Sequence, residues 1–217
     1  MRSTILTTTT LLTFSLFSTA TPIPIPFSLA TRDTGLTESQ VAAIAPKSKS
    51  CDNPPAKGEC ATAKQAAKST AQSFDTYKVT SKAEQAAVLS LMAFESDEFK
   101  YNKNHYPGVA GQGTRNMQSP AFNKKYASSL PALKDKLAKV SNNPADLLDL
   151  LRSNPAHDFG SGAWFLTTQC SKDVRSALQS GSETGWQKYI SDCVGTSVTE
   201  ERKEYWERAV KALGVSS

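Results

Sequence analysis

The 217-residue sequence contains two histidines, four cysteines and no block of lysine or arginine. Past its first twenty residues, no apolar run approaches the ~20 residues that a membrane span requires. Each shortage excludes something. A formal charge of +5 without a basic stripe does not fit a nucleic-acid binder and suits loose attraction to an anionic surface. His105 and His157 are far from the cysteines in sequence, and no Cys-x-x-Cys pair occurs, so neither a metal site nor a cofactor is expected. A Gly-x-Ser-x-Gly elbow is also missing, which leaves a serine-hydrolase triad unsupported. Eleven Gly and eleven Pro are too few for low-complexity material, and 39% hydrophobic residues too many for a disordered chain. Finally, no Asp or Glu stands between Glu98 and Asp135.

The first residues carry an address. Arg2 is followed by an uncharged stretch with an apolar part, Leu11-Leu12-Thr13-Phe14-Ser15-Leu16-Phe17, and a small-residue triplet, Ser18-Thr19-Ala20. That order reads as a secretory signal peptide over residues 1–20, with an extracellular destination. Residues 21–50 read as a Pro-containing leader or linker. Pro22, Pro24 and Pro26 enforce extended backbone, and a short helix is expected at Glu38–Ile44, closed by Pro46. The sequence leaves open whether this piece is removed as a propeptide. Cys51, Cys60, Cys170 and Cys193 all follow it, an even number that in an oxidising compartment reads as two disulfides. Of three connectivities, Cys51–Cys60 and Cys170–Cys193 are preferred because each closes a short loop.

Residues 51–217 read as one mainly α domain. Helices are expected at Ala61–Tyr77, Lys82–Phe99, Pro131–Val140, from Pro144, Gly162–Thr168, Lys172–Ser180, Thr184–Cys193 and Thr199–Leu213. The signals are Ser and Asn caps, a Ser81…Glu84 capping box, Pro144 at a first helical position, and the stops at Gly181 and Gly214. No series of alternating strands is found. On the Lys82–Phe99 helix, steps of about 100° put Glu95 near the centre of the stripe made by Val88, Leu91, Met92 and Phe99, with Asp97 nearly opposite. A carboxyl held among apolar neighbours is expected to keep its proton to higher pH, as a general acid requires. The plain alternative is a glutamate at a frayed helix end, pointing into water or paired with Lys or Arg.

Phe94-Glu95-Ser96, followed some fifteen residues later by Gly111-Gln112-Gly113-Thr114-Arg115-Asn116-Met117-Gln118-Ser119-Pro120, resembles the core of the goose-type lysozyme and lytic transglycosylase superfamily. There a helix ends in Glu-Ser and a Gly-rich segment ends in Met-Gln. The resemblance covers roughly Ala87–Tyr126. It implies a lysozyme-like helical domain with a Gly-rich active-site loop, acting on the β-1,4 bonds of a cell-wall aminopolysaccharide, peptidoglycan first and chitin second. By position it makes Glu95 the acid/base and has Ser96 support the loop; Met117 and Gln118 line the cleft, Gln118 touching sugar. From the residues themselves, Gln112, Arg115 and Asn116 offer the hydrogen-bond donors a sugar requires, and Tyr101 and Tyr106 are candidate stacking platforms. Arg115 and Asn116 stand where the family usually has Gly and Leu, and its later Ala-Tyr-Asn-Ala-Gly segment has no match. Trp164 and Trp186 are candidate stacking platforms or core residues. Asp158 is the one distant candidate for a second carboxylate, with a helix N-cap as its rival role, so a single-Glu mechanism is expected. Water or the sugar's own 6-hydroxyl is the acceptor. The expected partner is wall polysaccharide, bound by a monomer without nucleic acid or membrane. Two other readings stay open: a secreted wall-binding or effector protein on the same fold, and a helical bundle for an apolar ligand.

Overall fold

The computed structural model describes residues 35–115, 119–140 and 142–216. The signal peptide, the first part of the leader, and Asn116, Met117 and Gln118 lie outside the described residues. Among those described there is no strand. The helices are α1 Glu38–Ile44, α2 Ala63–Tyr77, α3 Lys82–Glu95, α4 Pro120–Ser128, α5 Lys134–Val140, α6 Pro144–Arg152, α7 Pro155–Asp158, α8 Ser161–Gln169, α9 Lys172–Gln179, α10 Glu183–Lys188 and α11 Glu200–Leu213. A π-helical turn, Tyr189–Val194, continues α10. None of them is long and apolar enough to cross a membrane.

Helix starts follow local chemistry. Thr37 and Thr62 each accept a hydrogen bond from the backbone N–H three residues on, while Gln40 and Gln65 reach back to the cap N–H, so two orphan donors are satisfied at each end. Ser81 caps α3 in the same way. Only half of the expected box forms there, because Glu84 turns into the core and takes both prongs of Arg175, at 2.7 and 3.3 Å. Ser119 caps α4 with Pro120 at its first position. No helix is expected there from the sequence above, although Ser119 followed by Pro120 is the usual starting signal.

α3 is the central rod. Every residue from Ala83 to Ala93 is buried, under α11, α9 and α8. A helix apolar on all sides is a core helix, so its sequence could not single out one inward face. α1 packs on α2 and α11 and buries Val41 and Ile44 completely. From Leu36 onward, then, the segment read as leader belongs to the main core. A second apolar cluster joins Tyr126, Leu147, Leu151, Trp164 and Phe165 across α4, α6 and α8, with Leu133 from the turn before α5. The disulfides are Cys51–Cys60 and Cys170–Cys193, the local pairing preferred from the sequence. The first ties the turn in front of α2; the second joins the end of α8 to the π-helical turn.

Candidate functional site

α3 stops at Glu95, four residues earlier than its pattern predicts. Asp97, Glu98 and Phe99 follow with φ of 49°, 59° and 67°, three successive non-glycine residues in the left-handed region. Each costs roughly 1 kcal/mol or more, and the surroundings hold them there. The buried Ser96 hydroxyl donates to the Met92 carbonyl (2.6 Å) and accepts from the Phe99 N–H (2.9 Å). The Glu98 carboxylate, also buried, accepts from the Lys47 N–H and the Tyr205 hydroxyl. Burial, with that bond to Glu98 second, pushes the Tyr205 phenol up to about 12.

The reversal opens a cleft of about 400 Å³ around Glu95, Asp97, Tyr101, His105, Tyr106 and Gln112. Lys103, Asn104 and Thr114 complete its polar lining. The loop forming its wall is tied to itself. Asn104 accepts the Gly108 and Val109 N–H groups at 2.8 and 3.1 Å, and donates its own N–H to the Gln112 carbonyl. Gly111 has φ +77°, and a Cβ there would lie 2.5 Å from the Pro144 side chain. Only glycine meets both the angle and the contact.

Glu95 does not sit against the apolar wall that the helical wheel predicts. Its side chain is 23% exposed, and Oε1 accepts from Arg202 Nη2 at 3.0 Å. Among the described residues Oε2 has no such partner. Arg202 comes from α11 and lies over the Phe94 ring, 4.7 Å from its centroid. It also donates to the Ser197 carbonyl. Glu95 is therefore an ion-paired carboxylate on the wall of a polar cleft.

Of the residues expected to touch substrate, Tyr101, Tyr106 and Gln112 join Glu95, and Tyr106 is 92% exposed. Ser96 does not: its hydroxyl is spent inside the turn. Arg115 and Asp158 do not either, because they are buried together elsewhere. The Arg115 guanidinium donates to Asp158 and to the Glu59 carbonyl and lies over Phe159. Asp158 is therefore not the partner of Glu95. Burial pushes its carboxyl up to about 6, against the opposing pull of Arg115. Trp164 and Trp186 are core residues. Asp97, set opposite Glu95 on a continued helix, shares its cleft because the backbone reverses between them; it pairs with Lys47. Nothing in the residue types 96–99 announces that reversal. Arg202, 107 positions from Glu95, carries no local signal of its role. His105, noted in sequence only as a histidine without ligand company, reaches from this cleft to the buried Glu59, Nε2 to Oε1 at 3.0 Å.

Over 158 residues the chain is 48% identical to a bifunctional dioxygenase (DOX)-epoxy alcohol synthase (EAS) of Fusarium oxysporum (strain Fo5176). The match takes in 70% of this chain and 12% of that protein, so the chain spans a small part of the relative it resembles. No family model matches the chain, and no solved structure matches it.

Proposed function

We propose that this is a secreted, lysozyme-like glycan-cleaving enzyme acting on β-1,4 bonds of cell-wall aminopolysaccharide, peptidoglycan in the first place, with Glu95 as acid/base. One observation carries the reading: Glu95 ends a buried helix with a carboxylate oxygen left over, on the wall of a cleft with two tyrosines and side-chain amides. Aromatic faces and amides are what a sugar ring with hydroxyl and acetamido groups requires. The two disulfides suit an extracellular setting. The oxygenase and synthase activities named for the Fusarium protein are not carried over, because the match covers 12% of it.

In the proposed reaction, Glu95 gives its proton to the bridging oxygen as the bond from that oxygen to C1 breaks. In hydrolysis, water adds its oxygen to C1. Asp97 lines this cleft and takes the water's proton, the role for which the sequence offers Asp158 as a second carboxylate and otherwise Glu95 itself. In the alternative route, the sugar's 6-hydroxyl closes on C1 and returns its proton to Glu95, giving an anhydro product. Either way Glu95 must first hold a proton, and a protonated carboxyl forfeits its ion pair. Substrate therefore has to draw it away from Arg202.

That ion pair also favours a second reading, a wall-binding or effector protein in which Glu95 is a structural anchor. Incubation of the full chain with purified peptidoglycan and with chitin, with products read by mass spectrometry, separates the two. Glu95→Gln is expected to reduce release at least about a hundredfold. Asp97→Asn, which keeps a residue tolerant of the left-handed region, is expected to suppress reducing-end products more than anhydro products. Equal release by wild type and Glu95→Gln overturns the assignment of Glu95. Retained wall binding without release favours the binder.

A further inference from the structure

Nearly all of the net charge is carried by one short segment. Residues 119–140 hold five lysines and one acid, a net +4 against +5 for the whole sequence. They form α4, the Pro131–Leu133 turn and α5. Lys124, Lys125, Lys134, Lys136 and Lys139 are all exposed, and none enters an ion pair among the described residues. Lys125 lies over the Phe122 ring, 5.1 Å from its centroid. The one acid, Asp135, sits between two of the lysines in α5. The exposed acids of the neighbouring α6 are engaged: Asp146 accepts from Asn143, and Asp149 pairs with Arg152.

Between the α4 lysines and the α5 lysines the surface is apolar. An open groove of about 390 Å³ is lined by Ala127, Leu130, Pro131, Leu137 and Ala138, with Ser128 and Lys134 as its polar members. Ser128 donates its hydroxyl proton to the Lys124 carbonyl at 2.8 Å. Pro131, Ala132 and Ala138 are exposed, and Leu130 and Leu137 are half-buried. α5 itself has no buried residue, so it lies on the molecule rather than inside it. An apolar corner bracketed by lysines is the result. The stems of such lysines cover apolar surface while their ammonium groups stay at a polar boundary.

One kind of partner satisfies both chemistries. A soluble polyanion pairs with the lysines and leaves the apolar corner in water. A neutral lipid face covers the corner and brings nothing for the charges. A bilayer containing anionic lipid offers headgroup charge to the lysines and acyl chains to the corner. We propose that the α4–α5 corner is a docking surface for an anionic lipid bilayer, with Leu130, Pro131 and Ala138 entering the interface and the lysines held at headgroup level. This departs from the sequence expectation of a chain without a membrane partner. Adsorption needs no spanning helix, and none occurs among the described residues. The corner takes no part in the chemistry assigned to Glu95, so the two readings stand or fall separately.

The test is co-sedimentation of the full chain at low salt with vesicles of phosphatidylglycerol and phosphatidylcholine in equal parts. Vesicles of phosphatidylcholine alone give the background, and soluble polyglutamate stands in for an acidic chain. An environment-sensitive dye on Ala132→Cys reports whether the corner itself enters the bilayer, whatever other segments do. Binding above background and a blue-shifted dye are expected with the anionic vesicles. Lys134→Gln combined with Lys139→Gln is expected to weaken that binding about 25-fold, from about fivefold per lysine. Lys64→Gln combined with Lys211→Gln removes the same charge from α2 and α11 and is expected to change it far less. Ala138→Gln, at an exposed position, is expected to weaken it about fourfold, the value of one methylene left in water, with thermal melting unchanged. The proposal is overturned by no binding above background, an unshifted dye, or polyglutamate bound as tightly as the anionic vesicles. Equal losses from the two lysine pairs, or binding indifferent to Ala138→Gln, overturn it as well.

Discussion

Asp158 has an arginine at its side and still titrates near 6, because burial takes away more hydration than Arg115 replaces. The sign for folding follows. In the unfolded chain the carboxyl titrates near 3.8, so between about 4 and 6 the folded protein holds a proton that the unfolded chain has lost. The contribution is therefore present in full below pH 4 and is lost as pH rises through 6. Urea unfolding of wild type and Asp158→Asn at several pH values is expected to show this: the variant lacks the decline, which is on the order of 2 to 3 kcal/mol. Below pH 4, where Asp158 is itself neutral, the two proteins are expected to be about equally stable, and at pH 7 the variant is expected to be the more stable by about the size of that decline. At this scale the sequence was half legible. It found Glu95, Tyr101, Tyr106 and Gln112, which one cleft gathers. It misplaced Arg115 and Asp158, because which buried cation meets which anion depends on packing over 43 positions of chain.

Among the elements, the exit from α3 and the glycine loop behind it set the cleft. Ser96→Ala removes the hydroxyl that fastens the left-handed turn and is expected to cost about 1 to 2 kcal/mol, measured by thermal melting. Gly111→Ala is expected to cost more, because the added methyl meets Pro144 in a backbone conformation that alanine avoids. Helix beginnings were readable because a cap is a local event: Thr37, Thr62, Ser171 and Thr199 each serve the helix that their sequence context announces. The end of α3 was not. Phe99 continues the apolar spacing of the helix, but the chain buries it by turning back, with the Ala61 N–H bonded to the Phe99 carbonyl. The same burial is reached by a different path, and hydrophobic spacing does not distinguish the two.

For the whole molecule, the class of fold and both disulfides follow from composition, caps and loop length. Opening Cys170–Cys193 by double serine substitution is expected to lower stability by about 3 kcal/mol, since the bond closes a separation of 23 residues. The boundary placed at residue 51 was wrong in physical effect. Short helices with few apolar positions look dispensable in sequence, but Val41 and Ile44 fill the space between α2 and α11. A chain shortened to begin at Cys51 is expected to unfold at lower denaturant, by at least about 3 kcal/mol for those two side chains alone.

Trimming has a built-in limit as a result. An exopeptidase arriving at Leu36 would meet resistance there. Beyond that point each further cut has to extract a plug from the oily interior before the scissile bond becomes reachable.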